Sequence, residues 1–266
     1  MPRVLVTGAN GFVGRAAVPA LSAAGYDVHA VSRDQADLLD PHAAEELIRE
    51  HRPSHLLHLA WTTEHGRYWE DPANEAWVDV SRRLVAAFSA AGGRRAVLAG
   101  TCAQRAWPDT LYARSKNEAS TSFAATGLLL FPYGPFESAE RLIPSVTLSL
   151  LAGEEARTTP GKQVRDFIHV DDCGRALAAL VDSGVEGDVE IGTGDETPVA
   201  EVAQTIARLL GREELLRVGA IPSDDESRVV ADTTRLREEV GFTPQWELDD
   251  GLRETVEWWR QRTRRR

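Results

Sequence analysis

Cysteine is scarce in this chain of 266 residues, which holds only Cys102 and Cys173. Both fall inside predicted core elements rather than in the spacing of a disulfide framework, which argues against a disulfide-stapled domain and fits a reducing cytoplasm. No apolar run is long enough to cross a bilayer. Because the first predicted strand begins at residue 3, we expect no signal peptide.

Positive charge is also in short supply, because 41 acidic residues outnumber 30 basic ones and the net charge is −11. This balance argues against nucleic acid or an anionic membrane as the main partner. The exception is the basic stretch 260–266, which we interpret as a solvated helix end, with an acidic contact as the alternative. We expect no metal. A hydrophobic fraction of 42% is enough for a sizeable core in one domain with an attached lobe.

A glycine-rich turn opens the chain. A short apolar strand over 3–6 leads into Thr7, and Gly8, Gly11 and Gly14 follow at three-residue spacing before an alanine-rich helix. Such glycines allow a sharp turn, close approach of backbone N–H groups to a pyrophosphate, and tight packing of helix on strand. The helix N-terminus adds unpaired N–H groups and a positive dipole end. The turn therefore predicts a dinucleotide site; the alternative is a structural turn without a ligand.

Apolar strands alternate with helices along the rest of the chain. The predicted strands cover 3–6, 27–31, 55–59, 96–99, 128–131 and 165–170, and the predicted helices 15–24, 41–50, 72–91, 140–152, 171–182, 197–210 and 248–262. This alternation predicts an α/β fold with a Rossmann-like doubly wound parallel sheet and a small C-terminal α/β substrate-binding lobe. We assign 1–132 and 163–190 to the dinucleotide-binding core, and 133–162 and 191–266 to the interleaved lobe.

Tyr112 and Lys116 form a second candidate site. Residues four apart lie on one face of a helix, so the phenol and the ammonium share a crevice. A tyrosine pKa near 10 is too high for a proton carrier at neutral pH, and a nearby ammonium lowers it. Thr101, just past a buried strand, can polarise a carbonyl oxygen or relay a proton. The alternatives are a chance pair on a solvated helix, and a threonine that only caps a turn.

The end of the second predicted strand indicates which cofactor fits. An acidic side chain there accepts hydrogen bonds from the ribose hydroxyls and selects NAD. This chain instead has Ser32 and Arg33, a hydroxyl and a guanidinium that suit a phosphate. We predict NADP(H), with NAD(H) as the alternative if Arg33 points to solvent and Asp34 takes the ribose.

Landmarks along most of the chain resemble the extended short-chain dehydrogenase/reductase family, in its NAD-dependent epimerase/dehydratase branch. They are 7–14, 37–38, 58–60, 100–101, 112–116, 133–135 and 165–172. The resemblance implies that Asp37 sits by the adenine, that Tyr112 is the acid/base with Thr101 and Lys116, and that Arg165 clamps a nucleotide diphosphate. The implied cofactor contacts are Thr7, Gly8, Asn10, Gly11, Phe12, Val13, Gly14, Ser32, Arg33, Asp37, Leu38, Leu59, Ala60, Trp61, Tyr112, Lys116 and Pro132. The implied substrate contacts are Thr101, Tyr133 and Arg165, and the alternative for Arg165 is a surface ion pair.

The reaction follows from one departure from the family pattern. The dehydratase branch typically has Asp-Glu after the threonine, whereas Thr101 is followed by Cys102 and Ala103. We therefore expect an NADPH-dependent ketoreductase acting on a nucleotide-activated deoxysugar. The alternatives are an epimerase that retains NAD, a non-catalytic NAD(P)-binding sensor, and a reductase of small hydrophobic ketones. The resemblance also implies a homodimer paired through the helix 72–91 and the helix bearing Tyr112.

Two stretches beside the active site are shorter than in the family. Ten residues separate Thr101 from Tyr112, and 117–124 provides only about two helical turns. Either the enzyme has lost loops, or the natural chain is longer than 266 residues, which is the explanation we favour because loops beside a substrate site are often mobile. An intact mass of 29.2 kDa would refute that explanation.

Overall fold

The computed structural model describes residues 1–121 and 123–264, which form two compact units. The first unit comprises 1–129, 173–191 and 233–243, and the second comprises 130–172, 192–232 and 244–266. The strands are β1 (Arg3–Thr7), β2 (Asp27–Val31), β3 (His55–His58), β4 (Arg95–Thr101), β5 (Ala124–Leu129), β6 (Phe131–Tyr133), β7 (Ala156–Arg157), β8 (Val164–Arg165), β9 (Phe167–His169), β10 (Asp188–Ile191), β11 (Thr197–Pro198), β12 (Leu216–Arg217) and β13 (Arg228–Val229). The helices are α1 (Phe12–Ala23), α2 (Ala43–His51), α3 (Ala73–Ala90), α4 (Ala103–Ala106), α5 (Leu111–Ala119), α6 (Leu142–Leu151), α7 (Val170–Asp182), α8 (Val199–Leu210), α9 (Thr234–Glu238) and α10 (Leu248–Thr263).

A six-stranded sheet organises the first unit, in the order β10-β5-β4-β3-β1-β2 with every neighbouring pair parallel. This confirms the predicted Rossmann-like α/β fold. Thr7 is in register with Val31 on β2 and with His58 on β3. Because the strands are parallel, the residues that follow their carboxyl ends lie along one edge of the sheet.

The apolar strands are buried on both faces, which explains their unbroken hydrophobic runs. Leu5 belongs to a core formed with residues of α2 and α3, among them Leu47, Leu84 and Phe88. Elsewhere in the unit α1 and α7 pack closely, since a Cβ on Gly174 would come within 2.5 Å of the Ala16 backbone. No helix in the described stretches is long and apolar enough to span a membrane.

The second unit has small sheets and its own core. β6 pairs with β9, β7 pairs with β12, and β8 lies between β11 and β13. Helices α6, α8 and α10 bury apolar side chains against one another, including Ile143, Val202, Ile206, Leu252 and Val256. The periodicity of these helices is what predicts them from sequence.

Several element boundaries differ from the prediction. The predicted helix 197–210 begins two residues later than expected: Thr197 and Pro198 form β11, which pairs antiparallel with β8, and α8 begins at Val199. Proline fits there because a short edge strand does not need its missing N–H. The predicted strand 165–170 is split, because the buried Asp166 carboxylate accepts hydrogen bonds from Thr193, Gly194 and Ala231.

The short stretches beside Tyr112 also differ. The chain after Lys116 does not stay helical to 124: α5 ends at Ala119, Ser120 is extended, and β5 begins at Ala124, four residues earlier than predicted. Ser122 lies outside the described residues. So do residues 265 and 266 of the basic stretch, whose described part ends α10. The intact mass remains the test of whether the natural chain is longer.

The first unit lacks 130–132 and 163–172 of the predicted core and gains 191 and 233–243 of the predicted lobe. β9 accounts for the first difference, because it pairs with β6. The Arg235 side chain of α9 accounts for the second, because it donates hydrogen bonds to the carbonyl oxygens of Asp188 and Glu186.

Candidate active site

The glycine-rich turn has no room for a side chain at Gly8 or at Gly14. Gly8 has a positive φ of 71°, and a Cβ on it would lie 2.7 Å from the Ala60 nitrogen. A Cβ on Gly14 would lie 2.3 Å from the Gly8 carbonyl oxygen. Gly11 donates to that same oxygen at 3.0 Å and is the N-cap of α1, where it supplies no side-chain cap. Helix α1 therefore begins with uncapped N–H groups at the sheet edge, which suits an anionic ligand.

A buried polar chain supports this turn from below. The Thr7 hydroxyl lies 2.7 Å from His58 Nδ1, and His58 Nε2 lies 3.0 Å from the Ser81 hydroxyl. Burial lowers the pKa of His58 to about 3, so its imidazole is neutral. Thr7 thus uses its side chain inside the protein. Sequence analysis missed His58 and Ser81 as partners; the one signal was a histidine at the end of an apolar strand.

The predicted adenosine side is open to solvent. The backbone N–H and the hydroxyl of Ser32 both donate to Gln35 Oε1, at 2.9 and 3.1 Å. Arg33 is exposed, and its guanidinium lies 3.5 Å from the Asp37 carboxylate. Asp34 is also exposed, whereas Leu38 is buried. The Arg33 charge is therefore held only by a surface pair, which is worth little and can be exchanged for a phosphate.

The structure brings the three predicted catalytic residues to one region of the first unit. Lys116 on α5 donates from Nζ to the Ala99 carbonyl oxygen of β4 at 2.8 Å, and Thr101 ends the same strand. The Lys116 Nζ lies 6.0 Å from the centre of the Tyr112 ring. The Thr101 hydroxyl oxygen accepts from the Ala103 N–H at 3.2 Å, so its own proton can be donated to a ligand.

A side-chain bracket fixes the spacing of these elements. The Thr101 N–H donates to Gln104 Oε1 at 3.0 Å, and Gln104 Nε2 donates to Asn117 Oδ1 at 2.8 Å. Gln104 is buried and Asn117 is exposed, so the bracket joins the end of β4 to the solvent side of α5. Sequence analysis did not single out either residue, because an isolated glutamine or asparagine has no pattern that marks its partner.

Aromatic rings surround Tyr112. Tyr68, Trp61 and Trp69 pack edge-on against its ring, with centroids at 4.8, 6.5 and 6.0 Å. The Tyr112 N–H donates to the Trp69 carbonyl oxygen at 3.0 Å, which fixes the segment before α3 against α5. These rings bury the phenol and lower the local dielectric, which strengthens its interaction with a nearby charge.

Lys116 is fully buried, and burial lowers the pKa of its ammonium to about 7. Its Nζ lies 3.9 Å from the centre of the Trp61 ring, within the range of a cation–π contact. In a helix whose other charges are solvated, this is the one cation turned inward toward the sheet.

Three of the predicted contacts lie in the second unit: Pro132, Tyr133 and Arg165. The Tyr133 hydroxyl donates to the Leu248 carbonyl oxygen at 3.3 Å, and the residue is buried. Arg165 pairs with Asp225 at 2.9 Å and stacks on Phe131. The pair is buried on the arginine side rather than being a surface pair. Substrate contacts by Tyr133 and Arg165, and cofactor contact by Pro132, remain predictions.

The comparison with protein families decides the broad identity of the chain. Residues 4–121 and 110–192 match the NAD dependent epimerase/dehydratase family. The chain belongs to this family. The resemblance stated from the sequence is thereby confirmed, and it extends over the glycine-rich turn, Thr101, Tyr112, Lys116 and Arg165.

Two curated relatives show the range of reactions around this chain. It is 30% identical over 141 residues to dTDP-glucose 4,6-dehydratase of Escherichia coli, covering 48% of this chain and 39% of the enzyme. It is 36% identical over 138 residues to dTDP-4-dehydro-6-deoxy-D-allose reductase of Streptomyces bikiniensis, covering 50% and 42%. The match thus spans about two fifths of the length of these relatives.

A solved structure matches nearly the whole chain. MoeE5 in complex with UDP-glucuronic acid and NAD is 26% identical, with a TM-score of 0.83 over 98% of this chain and 99% of that one. MoeE5 thus shows that this fold can hold both NAD and UDP-glucuronic acid.

Proposed function

We propose that this protein is an NADPH-dependent reductase of a keto group on a nucleotide-activated deoxysugar. The observation that carries the proposal is the pair Cys102 and Ala103, which follows Thr101 directly and leads into α4. Dehydration needs an acid and a base beside the sugar, and neither of these side chains does that work. Reduction needs only a proton donor and an oriented carbonyl, which Tyr112 and Thr101 provide.

The residues of the first unit fit a dinucleotide. The turn has no room for a Cβ at Gly8 or Gly14, and it ends on an uncapped helix N-terminus, so it can cradle a pyrophosphate. Ser32 and Arg33 suit the 2′-phosphate of NADP(H), because a hydroxyl and a guanidinium both donate hydrogen bonds to phosphate oxygens. When bound, the nicotinamide supplies a hydride to the keto carbon.

The protein side chains then handle the proton and the charge. The Thr101 hydroxyl donates a hydrogen bond to the keto oxygen of the substrate and so orients the carbonyl group. Tyr112 protonates the forming alkoxide, and the Lys116 ammonium favours the phenolate that remains. The aromatic rings around Tyr112 keep water from competing for that proton.

The test is to purify the protein, extract any bound dinucleotide, and assay keto-sugar nucleotides with added NADPH or NADH. We expect turnover that requires added NADPH and falls by a factor of 10² or more in Tyr112→Phe, the usual size of a lost general acid. Unchanged turnover in Tyr112→Phe would refute the assignment of the acid.

An epimerase with retained NAD is the second candidate, because the NAD-bound structure of MoeE5 shares the fold. In that case the extract contains stoichiometric NAD, and the protein turns over its substrate without added cofactor. That result would replace the reductase proposal, because a net reductase must exchange its cofactor.

The substrate class and assembly are part of the same proposal. In a thermal-shift screen, nucleoside diphosphates that bind the protein should raise its melting temperature by mass action. If none of them changes the melting temperature, that result would argue for a small ketone as the substrate instead. We propose a homodimer through α3 and α5, which light scattering at micromolar concentration tests. We propose a cytoplasmic location, because the chain holds only two cysteines and they do not have the spacing of a disulfide framework.

A further inference from the structure

The Lys116 ammonium is buried without a carboxylate to balance it. Of its donors, one is satisfied by the Ala99 carbonyl oxygen at 2.8 Å. Burial alone accounts for its lowered pKa, with no contribution from an acidic group among the described residues. An uncompensated ammonium in such a site should lose its proton or turn toward solvent. A charged Lys116 therefore needs a partner other than a carboxylate.

The groups that face Lys116 are neutral or weakly polar. On its own helix it faces Tyr112, at 6.0 Å from the ring centre. From β3 the nearest titratable group is His58, whose low pKa is due mainly to burial and partly to the charge of Lys116 itself. β4 offers the Ala99 carbonyl. The remaining neighbour is the indole of Trp61, whose ring centre lies 3.9 Å from Nζ.

The Trp61 ring is locked in this position from two sides. Its Nε1–H donates to Asn74 Oδ1 at 2.8 Å, and the buried Asn74 amide in turn donates to the carbonyl oxygens of Tyr68 and Asp71. Its ring also stacks on Trp77 at 6.0 Å, and Trp77 donates to the Thr62 hydroxyl. A ring fixed in this way presents its negative face to the ammonium without further ordering cost.

We propose that Trp61 is a positioning residue for Lys116: its indole face takes the place of a carboxylate and keeps the ammonium charged and seated beside Tyr112. The proposal rests on the proposed function only for what the charge does there, which is to favour the phenolate of Tyr112. A carboxylate in this place would bind the ammonium more strongly, but it would also repel a phenolate on Tyr112. The face of an indole ring attracts the ammonium and carries no net charge that would repel the phenolate.

The lysine content of the chain gives a direct test. Lys116 and Lys162 are the only lysines, so protein labelled with ¹³C at lysine Cε shows two side-chain signals. Lys162 is exposed and paired with Glu226, and Lys162→Arg identifies its signal by removing it. The full chain is titrated without substrate or cofactor, as wild type, Trp61→Phe and Trp61→Leu. Trp107→Leu, which removes an indole packed on Trp69, serves as the matched control.

We expect the midpoint of the Lys116 titration to fall by about one pH unit in Trp61→Leu and by less in Trp61→Phe, which keeps a ring face. It should hold in Trp107→Leu, and Lys162 should not move in any variant. A Lys116 midpoint that stays or rises in folded Trp61→Leu would overturn the proposal. If that variant does not fold by circular dichroism, a midpoint unchanged in Trp61→Phe overturns it equally.

Activity provides an independent readout. In the reductase, the alkaline limb of the kcat profile should move down with the Lys116 midpoint. Because the titration needs no turnover, a protein with no reductase activity still yields the Lys116 midpoint. Failure of the proposed function and failure of the Trp61 role are thus distinguishable.

Discussion

Replacing Lys116 with methionine should stabilise the protein while it abolishes turnover. The side chain is fully buried, and its pKa falls from an ordinary 10.5 to about 7. Folding therefore costs free energy whenever the unfolded chain is protonated at this position. Methionine has a similar length and carries no charge, so Lys116→Met removes that cost. It loses the hydrogen bond to the Ala99 carbonyl oxygen and the cation–π contact with the Trp61 ring.

The sign and size of the effect depend on pH. Between pH 7 and 10.5 the unfolded chain holds a proton that the folded chain releases, so wild-type stability rises with pH there. Below pH 7 the cost is complete, with an upper bound of about 5 kcal/mol at 1.36 kcal/mol per pKa unit. The stability advantage of Lys116→Met is thus largest near pH 6, and between pH 7 and 9 it shrinks by up to ~2.7 kcal/mol.

Urea unfolding at pH 6, 7, 8 and 9 measures this difference, because all other titrating groups cancel between the two proteins. Lys162→Met is the control: its ammonium is exposed and its pKa is raised by Glu226, so its effect should be constant across this range. A difference between Lys116→Met and wild type that does not change with pH would show that Lys116 titrates normally in the folded protein, and the reasoning would be wrong.

Three further substitutions test the turn, the cofactor preference and the buried ion pair. Gly14→Ala places a methyl 2.3 Å from the Gly8 carbonyl oxygen, so it should lower the free energy of unfolding by about 1–3 kcal/mol in thermal unfolding and abolish dinucleotide binding. Gly184→Ala is the control: its methyl would have no atom within 4 Å, so it should change neither property. Arg33→Ala should raise KM for NADPH by about tenfold or more and leave KM for NADH unchanged; equal effects would show that Arg33 does not read the phosphate. Asp225→Ala removes the carboxylate paired with the buried Arg165 and should cost ~2 kcal/mol in urea unfolding, against little for its exposed neighbour Asp224.

The parts of the fold that depend on local chemistry could be predicted from sequence. Glycine at 8, 11 and 14 is a property of one turn, and the turn has the conformation that these residues require. The short apolar stretches at the centres of β1 and β3, residues 4–6 and 56–57, are buried in the sheet as predicted. Both signals are complete within a dozen residues, so no knowledge of distant partners is needed.

The parts that depend on distant partners could not. Thr197 and Pro198 are residue types that often begin a helix, but here they pair with β8 in a small sheet. Asn74 and Asn117 have no local signature at all, and both hold the active site through side chains 13 residues away. The direction of a side chain within a buried region is decided by tertiary packing, which a single sequence does not display.

The site combines a stable framework with one buried charge that has only weak partners. The turn, the sheet and the bracket of Gln104 and Asn117 are satisfied within the protein, so they need no ligand to hold their positions. Lys116 alone is left with a neutral carbonyl and an aromatic face for partners. A ligand that brings hydroxyls or negative charge to this ammonium would gain the free energy that folding loses there. Ligand binding and proton transfer therefore both depend on the Lys116 ammonium, the buried charge that has no carboxylate partner among the described residues. For this reason the removal of Lys116 should stabilise the fold and abolish the reaction.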